Sequence, residues 1–92
     1  VLWFHRVWDG ASVPVVFRFQ GFRFFFYSNE GEPPQPVQVH VLKGGLEAKF
    51  WLRPQVQAAY NWGYDARTLH MLLKVVHDNR ELIEKGWNEF FR

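Results

Sequence analysis

From Val37 to Val41 and from Leu46 to Phe50 apolar and polar residues alternate one by one, on either side of a Gly44-Gly45 pair. Side chains on an extended strand point alternately to opposite faces, so this pattern fits a half-buried strand and no helix. Val37, Val39 and Val41 alternate with Gln38 and His40, and after the glycines Ala48, Phe50 and Leu52 alternate with Glu47, Lys49 and Trp51. The two runs read as one hairpin. Upstream, Val15 to Gln20 and Phe22 to Ser28 are β-branched and aromatic runs separated by Gly21, a second hairpin. Asn29-Glu30-Gly31-Glu32-Pro33-Pro34 between them reads as a turn followed by a stiff extended loop. A four-stranded antiparallel meander is predicted.

Downstream the period changes. Pro54 suits a first helical position, where its missing N–H has no cost, so Gln55 to Asn61 is predicted as a short helix stopping near Gly63. Asp65 is a good N-cap for a longer second helix, with Leu69, Leu72, Leu73, Val76, Ile83, Trp87 and Phe90 forming one apolar stripe. Gly86 inside that stripe is the expected weak point. The resulting fold class is α+β: a four-stranded antiparallel sheet with one short and one long helix packed on one face. Ninety-two residues suffice for one core, and ten Phe with five Trp supply much of it. A single domain is expected over 13–92. Residues 1–12, with Trp3, Phe4, Trp8 and an Asp9-Gly10 turn signal, read separately as an N-terminal extension or extra strand.

Several function classes are excluded or unsupported. Without cysteine there is no disulfide, thiol catalysis or Cys-ligated metal. A net charge of +2 lacks the basic bias of a dedicated DNA binder. No apolar run approaches the ~20 residues that span a bilayer, and no signal peptide is visible; a cytoplasmic location without membrane attachment is expected. Ser12 and Ser28 lie outside any nucleophile motif, and Gly44-Gly45 lacks the context of a phosphate loop. A helix-turn-helix reading fails because the second helix spends its apolar stripe on the core, and Lys74, Arg80 and Lys85 are offset by Asp78, Glu81, Glu84 and Glu89. His70 and His77 stand about 10.5 Å apart along a helix, too far to share a metal. His77 and Glu81, at i and i+4, are expected to pair on the surface.

The ordered set FRFQGFRFFFYS (Phe17–Ser28), NEG with a Pro-rich loop, VHVLKGGLEAKFWL, NWGY and a terminal WNEFF resembles a prokaryotic family catalogued as domain-of-unknown-function family 4160. The resemblance spans roughly Val13 to Phe91. The family's strand motif reads Pro-x-His-(Ile/Val)-His-Val; here it stands as Pro36-Val37-Gln38-Val39-His40-Val41, with the first His replaced by Gln38. Members are often encoded beside another small protein, in an arrangement like a toxin–antitoxin pair. The resemblance therefore implies a small partner protein and transfers no reaction.

Strand alternation assigns a polar sheet face. If the valines and Phe50 face the helices, the opposite face carries Gln38, His40, Glu47, Lys49 and Trp51. With Phe22, Phe24 and Phe26 as core, Arg23, Phe25 and Tyr27 join it, together with Arg18 and Gln20. Two His at i and i+2 could reach one metal or scissile phosphate, but Gln38 is a poor ligand and no base at neutral pH; Glu47 on the next strand could orient His40. Arg18, Arg23 and Lys49 interleaved with Phe25, Tyr27 and Trp51 suit recognition of single-stranded RNA or of a protein. Residues 1–12 could instead fold across the face and bury it. The expectation is an interaction protein of a two-gene module, with no catalytic residue and no cofactor, binding through Arg23, Tyr27, His40, Lys49 and Trp51. The rivals are an altered His-x-His hydrolase or nuclease and an RNA-binding sheet platform.

Overall fold

The chain folds as an antiparallel sheet covered on one face by helix. This computed structural model describes residues 15–31 and 35–91; the expectations for residues 1–12 lie outside them. The strands are β1 (Val15–Phe19), β2 (Phe22–Phe25), β3 (Gln38–Lys43), β4 (Leu46–Trp51) and β5 (Gln57–Trp62), hydrogen-bonded in the order β1-β2-β3-β4-β5. The helices are α1 (Ala66–Asp78) and α2 (Arg80–Phe90).

Both hairpins arise where the sequence places them. The β3–β4 turn is the pair Gly44-Gly45, at φ 58° and 82°. Positive φ at both central residues matches the twist of the flanking strands, and glycine adopts it without steric cost. β2 ends at Phe25, before the expected Ser28, because Ser28–Gly31 closes into a 3-10 turn. There Glu30 N–H donates to Tyr27 O at 3.1 Å, and the Glu30 carboxylate accepts Tyr27 N–H at 3.0 Å.

Two expectations are corrected. The sheet has five strands rather than four, because Gln57–Trp62, the heart of the predicted short helix, pairs with β4 (Glu47↔Trp62, Lys49↔Tyr60, Phe50↔Ala58). Pro54 serves the turn before that strand, and pairing along β4 outweighs the helix propensity of Ala58-Ala59. The predicted long helix is two helices, divided at Asn79 (φ −110°, ψ 20°). Asn79 Nδ2 donates to Val75 O at 2.8 Å, an amide competing with the backbone ladder. Gly86, the expected weak point, lies buried within α2. The apolar stripe survives the division, with Leu72 and Val76 on α1 and Ile83 and Trp87 on α2 all buried.

The core follows from the alternation. Phe24, Phe26, Val39, Val41, Ala48, Phe50 and Leu52 are fully buried against the helices. Each large apolar side chain withdrawn from water contributes about 1.5–3 kcal/mol. Phe26 meets Trp87 edge-on with ring centroids 5.2 Å apart, so β2 leads into the α2 side of the core. Asp65 caps α1, accepting Thr68 N–H at 2.8 Å.

The NWGY turn fixes the passage from β5 to α1. Asn61 Nδ2 donates to Tyr64 O at 2.8 Å, Asn61 Oδ1 accepts Tyr64 N–H at 3.1 Å, and Tyr64 OH donates to Leu46 O at 2.6 Å. Gly63 makes this possible at φ 112°, and a Cβ there would stand 2.5 Å from Leu46 Cδ2. Gly63→Ala should therefore destabilise by about 2 kcal/mol in urea denaturation. Gly44→Asn, in open space at φ 58°, should cost under about 1 kcal/mol, because asparagine tolerates that region. Equal effects would refute this account of the turn.

Candidate functional site

The register lays the polar face out in rows. One row runs Arg18, Arg23, Leu42, Glu47, Trp62 and the next runs Phe25, His40, Lys49, Tyr60, since directly opposed residues of antiparallel strands share a face. A third holds Gln38, Trp51 and Gln57. The rows hold Arg18, Arg23, Phe25, Gln38, His40, Glu47, Lys49 and Trp51 of the residues assigned by alternation and add Tyr60 and Trp62 from the unforeseen strand. Gln20 instead lies in the β1–β2 turn and Tyr27 just beyond β2.

Its inner layer is a closed polar cluster. His40 is only 4% exposed, and its ring stacks on Phe25 at 5.5 Å and meets Tyr27 edge-on at 4.5 Å. Nε2 bonds the Glu30 carboxylate, while Nδ1 lies 3.1 Å from Glu47 Oε2 and 3.2 Å from Tyr60 OH. Tyr60 OH donates to Glu47 Oε2 at 2.5 Å and Tyr27 OH to Glu47 Oε1 at 3.2 Å. Both ring nitrogens of His40 are thus engaged, one by Glu30 and the other by Glu47 and Tyr60. Glu47 stands diagonally across the β3–β4 pair from His40, the spacing at which long side chains meet.

Chemically the cluster is saturated. With both nitrogens engaged, His40 offers no lone pair to a substrate proton or a cation. The two carboxylates approach opposite sides of the ring and cannot converge on one ion; among the described residues no group of three or more His, Asp or Glu is arranged to hold a metal. Gln38 lies fully buried, not at an open surface as alternation suggested, and the same correction applies to His40. Gln38 Nε2 donates to Gln35 Oε1 at 2.8 Å and Pro36 O at 3.3 Å, turning toward its own loop and away from His40.

An outer layer rests on this one. Lys49 Nζ stands 4.2 Å from the Trp51 ring centroid and 6.0 Å from that of Tyr60. Tyr60 in turn stacks on Trp62 at 4.1 Å and 16°, and Trp62 is 62% exposed. Arg23 lies over Phe25 at 5.5 Å, and Arg18 beside it in register is exposed. The result is a ladder of aromatic rings and cations running from β4 to the β5 edge. On α1, His77 Nδ1 stands 3.5 Å from Asp78 Oδ1, in place of the expected pairing with Glu81.

Three participants were invisible to the pattern. Glu30 sits in a turn, where carboxylates are ordinarily solvated, and its only signal was its place between an aromatic strand and a Pro-rich loop. Tyr60 fell inside the segment read as helix, and Trp62 directly after it.

The tyrosines report on the cluster. Burial first, then the Glu47 carboxylate, raises the ionisation of Tyr27 and Tyr60 above its ordinary range, Tyr60 the more strongly. Burial also raises Tyr64. These groups are raised in the folded chain relative to the unfolded one. Their stabilisation is thus complete below the ordinary tyrosine value of about 10 and is lost as pH climbs through the folded values. Ultraviolet titration of the native protein should show all three tyrosines ionising above pH ~10 together with alkaline unfolding, and in urea near pH ~10. A native phenolate forming below pH ~10 would contradict the geometry.

The model of the family described as domain of unknown function, DUF4160, matches residues 21–88. That is more than half of the 92 residues, and the chain belongs to this family. No curated protein and no solved structure matches it.

Proposed function

We propose that this member of the DUF4160 family is a protein-interaction component, one half of a toxin–antitoxin-like two-gene module, and that it engages its partner through the outer layer of the polar face. The observation that carries the reading is the exposed Tyr60–Trp62 stack continuous with the Lys49–Trp51 pair. Tryptophan, tyrosine and arginine are the residues that dominate binding energy at interfaces, and here they are rigidly held. Trp62 leans on Tyr60, whose hydroxyl is fixed by Glu47, so little side-chain freedom remains to be lost on docking.

The contact set differs from the sequence-derived one in a physical respect. Arg18, Arg23, Lys49, Trp51, Tyr60 and Trp62 face outward, while His40 and Gln38 act from beneath and Tyr27 braces Glu47. Engagement of both His40 nitrogens speaks against the His-x-His hydrolase or nuclease reading. The same ladder would stack nucleobases, so the RNA reading is an outcome of the test.

Co-expression with the neighbouring small protein should give a stable complex on size exclusion. Trp62→Ala and Trp51→Ala should each weaken it by about 2 kcal/mol, with the circular dichroism of the free protein unchanged. A complex indifferent to both substitutions would overturn the reading. So would a lone monomer that binds single-stranded RNA with strong salt dependence.

A further inference from the structure

Resting on the proposed function, we infer what the partner protein brings to this face: a side-chain carboxylate, from Asp or Glu, that lands on the Lys49 ammonium between Trp51 and Tyr60.

Lys49 stands within the aromatic ladder and not at its rim. A bulge in β5 pairs Lys49 with Tyr60 and Phe50 with Ala58, leaving Ala59 extra, so that Tyr60 stands directly opposite Lys49. Trp51 follows two residues later on β4, on the same face. The ammonium lies 4.2 Å from the Trp51 ring centroid and 6.0 Å from that of Tyr60, and Tyr60 carries Trp62 stacked upon it. A surface that covers these rings covers Lys49 as well.

The ammonium has no counter-charge of its own. Ring faces attract a cation without supplying the oxygen acceptors that its three N–H groups take in water. Among the described residues no carboxylate pairs with Lys49. Glu47, two residues before it on the same face, is engaged by His40, Tyr27 and Tyr60. Glu30 is turned inward to His40 and to Tyr27 N–H. Lys49 is half-buried, so solvent serves it in the free protein.

Docking removes that solvent. A charge buried without a partner is strongly unfavourable, whereas a carboxylate at hydrogen-bond distance compensates it and adds a charge-assisted bond. The complementary patch is therefore apolar where it meets the rings and carries one acid among them. A second copy docked face to face does not supply it, because both carboxylates of this face are engaged inward. A nucleic-acid strand calls for a row of cations tracking its backbone; one ammonium flanked by two rings matches one acid.

The test uses the intact protein with the neighbouring small protein and reads the dissociation constant of the complex. Lys49→Met keeps an unbranched stem against Trp51 and removes the charge. It should weaken the complex about thirtyfold or more, since it leaves the partner's acid buried and unpaired, and should flatten the salt dependence. Lys49→Arg should retain most of the affinity. Lys49→Glu should abolish binding and be rescued by one Asp→Lys or Glu→Lys substitution in the partner. Thermal melting of the free variants should match that of the parent. A complex that tolerates Lys49→Met while Trp62→Ala still breaks it would overturn this inference and leave the proposed function standing; a complex indifferent to both would overturn both. Equal losses from Lys49→Met and Lys49→Arg would overturn it by making the stem, not the charge, the contact. Binding of a single-stranded oligouridine that is lost with Lys49→Met, in place of a protein complex, would overturn it by giving the ammonium to a phosphate.

Discussion

An imidazole held between two carboxylates organises the polar half of this molecule. Burying a polar side chain costs about 2–7 kcal/mol unless hydrogen-bond partners replace the lost hydration. His40 obtains them from Glu30 on one side and Glu47 on the other, with Tyr27 and Tyr60 completing the coordination of Glu47. Each participant comes from a different stretch of chain: the end of β2, the 3-10 turn, β3, β4 and β5. An error of register in any strand would leave a buried carboxyl group or imidazole without its partner. The cluster thereby specifies the alignment of β2 to β5, while the phenylalanine core beneath supplies the bulk of the driving force.

The same arrangement separates a buried polar layer from an exposed aromatic one. Groups with acid–base chemistry face inward and satisfy one another; groups suited to contact face outward. Tyr60 belongs to both layers, its hydroxyl in the cluster and its ring under Trp62. Through it the buried polar cluster sets the position of the exposed stack. On the opposite side of the sheet, the helix pair covers the centre and leaves the β5 edge open. The bulge at Ala59 turns Ala58 to the helix side while Tyr60 stays on the polar face.

Much of this was readable from residue order. Two-residue turns at Gly21 and Gly44-Gly45, alternation through most of β3 and β4, and the Asp65 cap with its apolar stripe all carry local signals strong enough to survive in the fold. β5 was unreadable because the bulge at Ala59 breaks its alternation, and the remaining Gln-Ala-Ala-Tyr looks helical by propensity. The division at Asn79 was hidden because Leu72, Val76, Ile83 and Trp87 keep helical phase across it. Pairing of Glu47 with His40 could be raised as an option once both were placed on one face. Glu30 could not, since a contact ten residues away through a turn leaves no periodic trace. The polarity of the face was readable, but its depth was not: alternation tells which way Gln38 and His40 point and not what lies above them.

The central claim is that recognition uses the outer ladder while His40 only supports it. Titrating an isotopically labelled sample with the neighbouring small protein and following the indole and imidazole signals together tests it most directly. The account requires the Trp51 and Trp62 indole N–H resonances to shift on binding while the His40 ring protons stay in place. Stationary indoles with a moving His40 would contradict it, and would make the imidazole itself the point of contact.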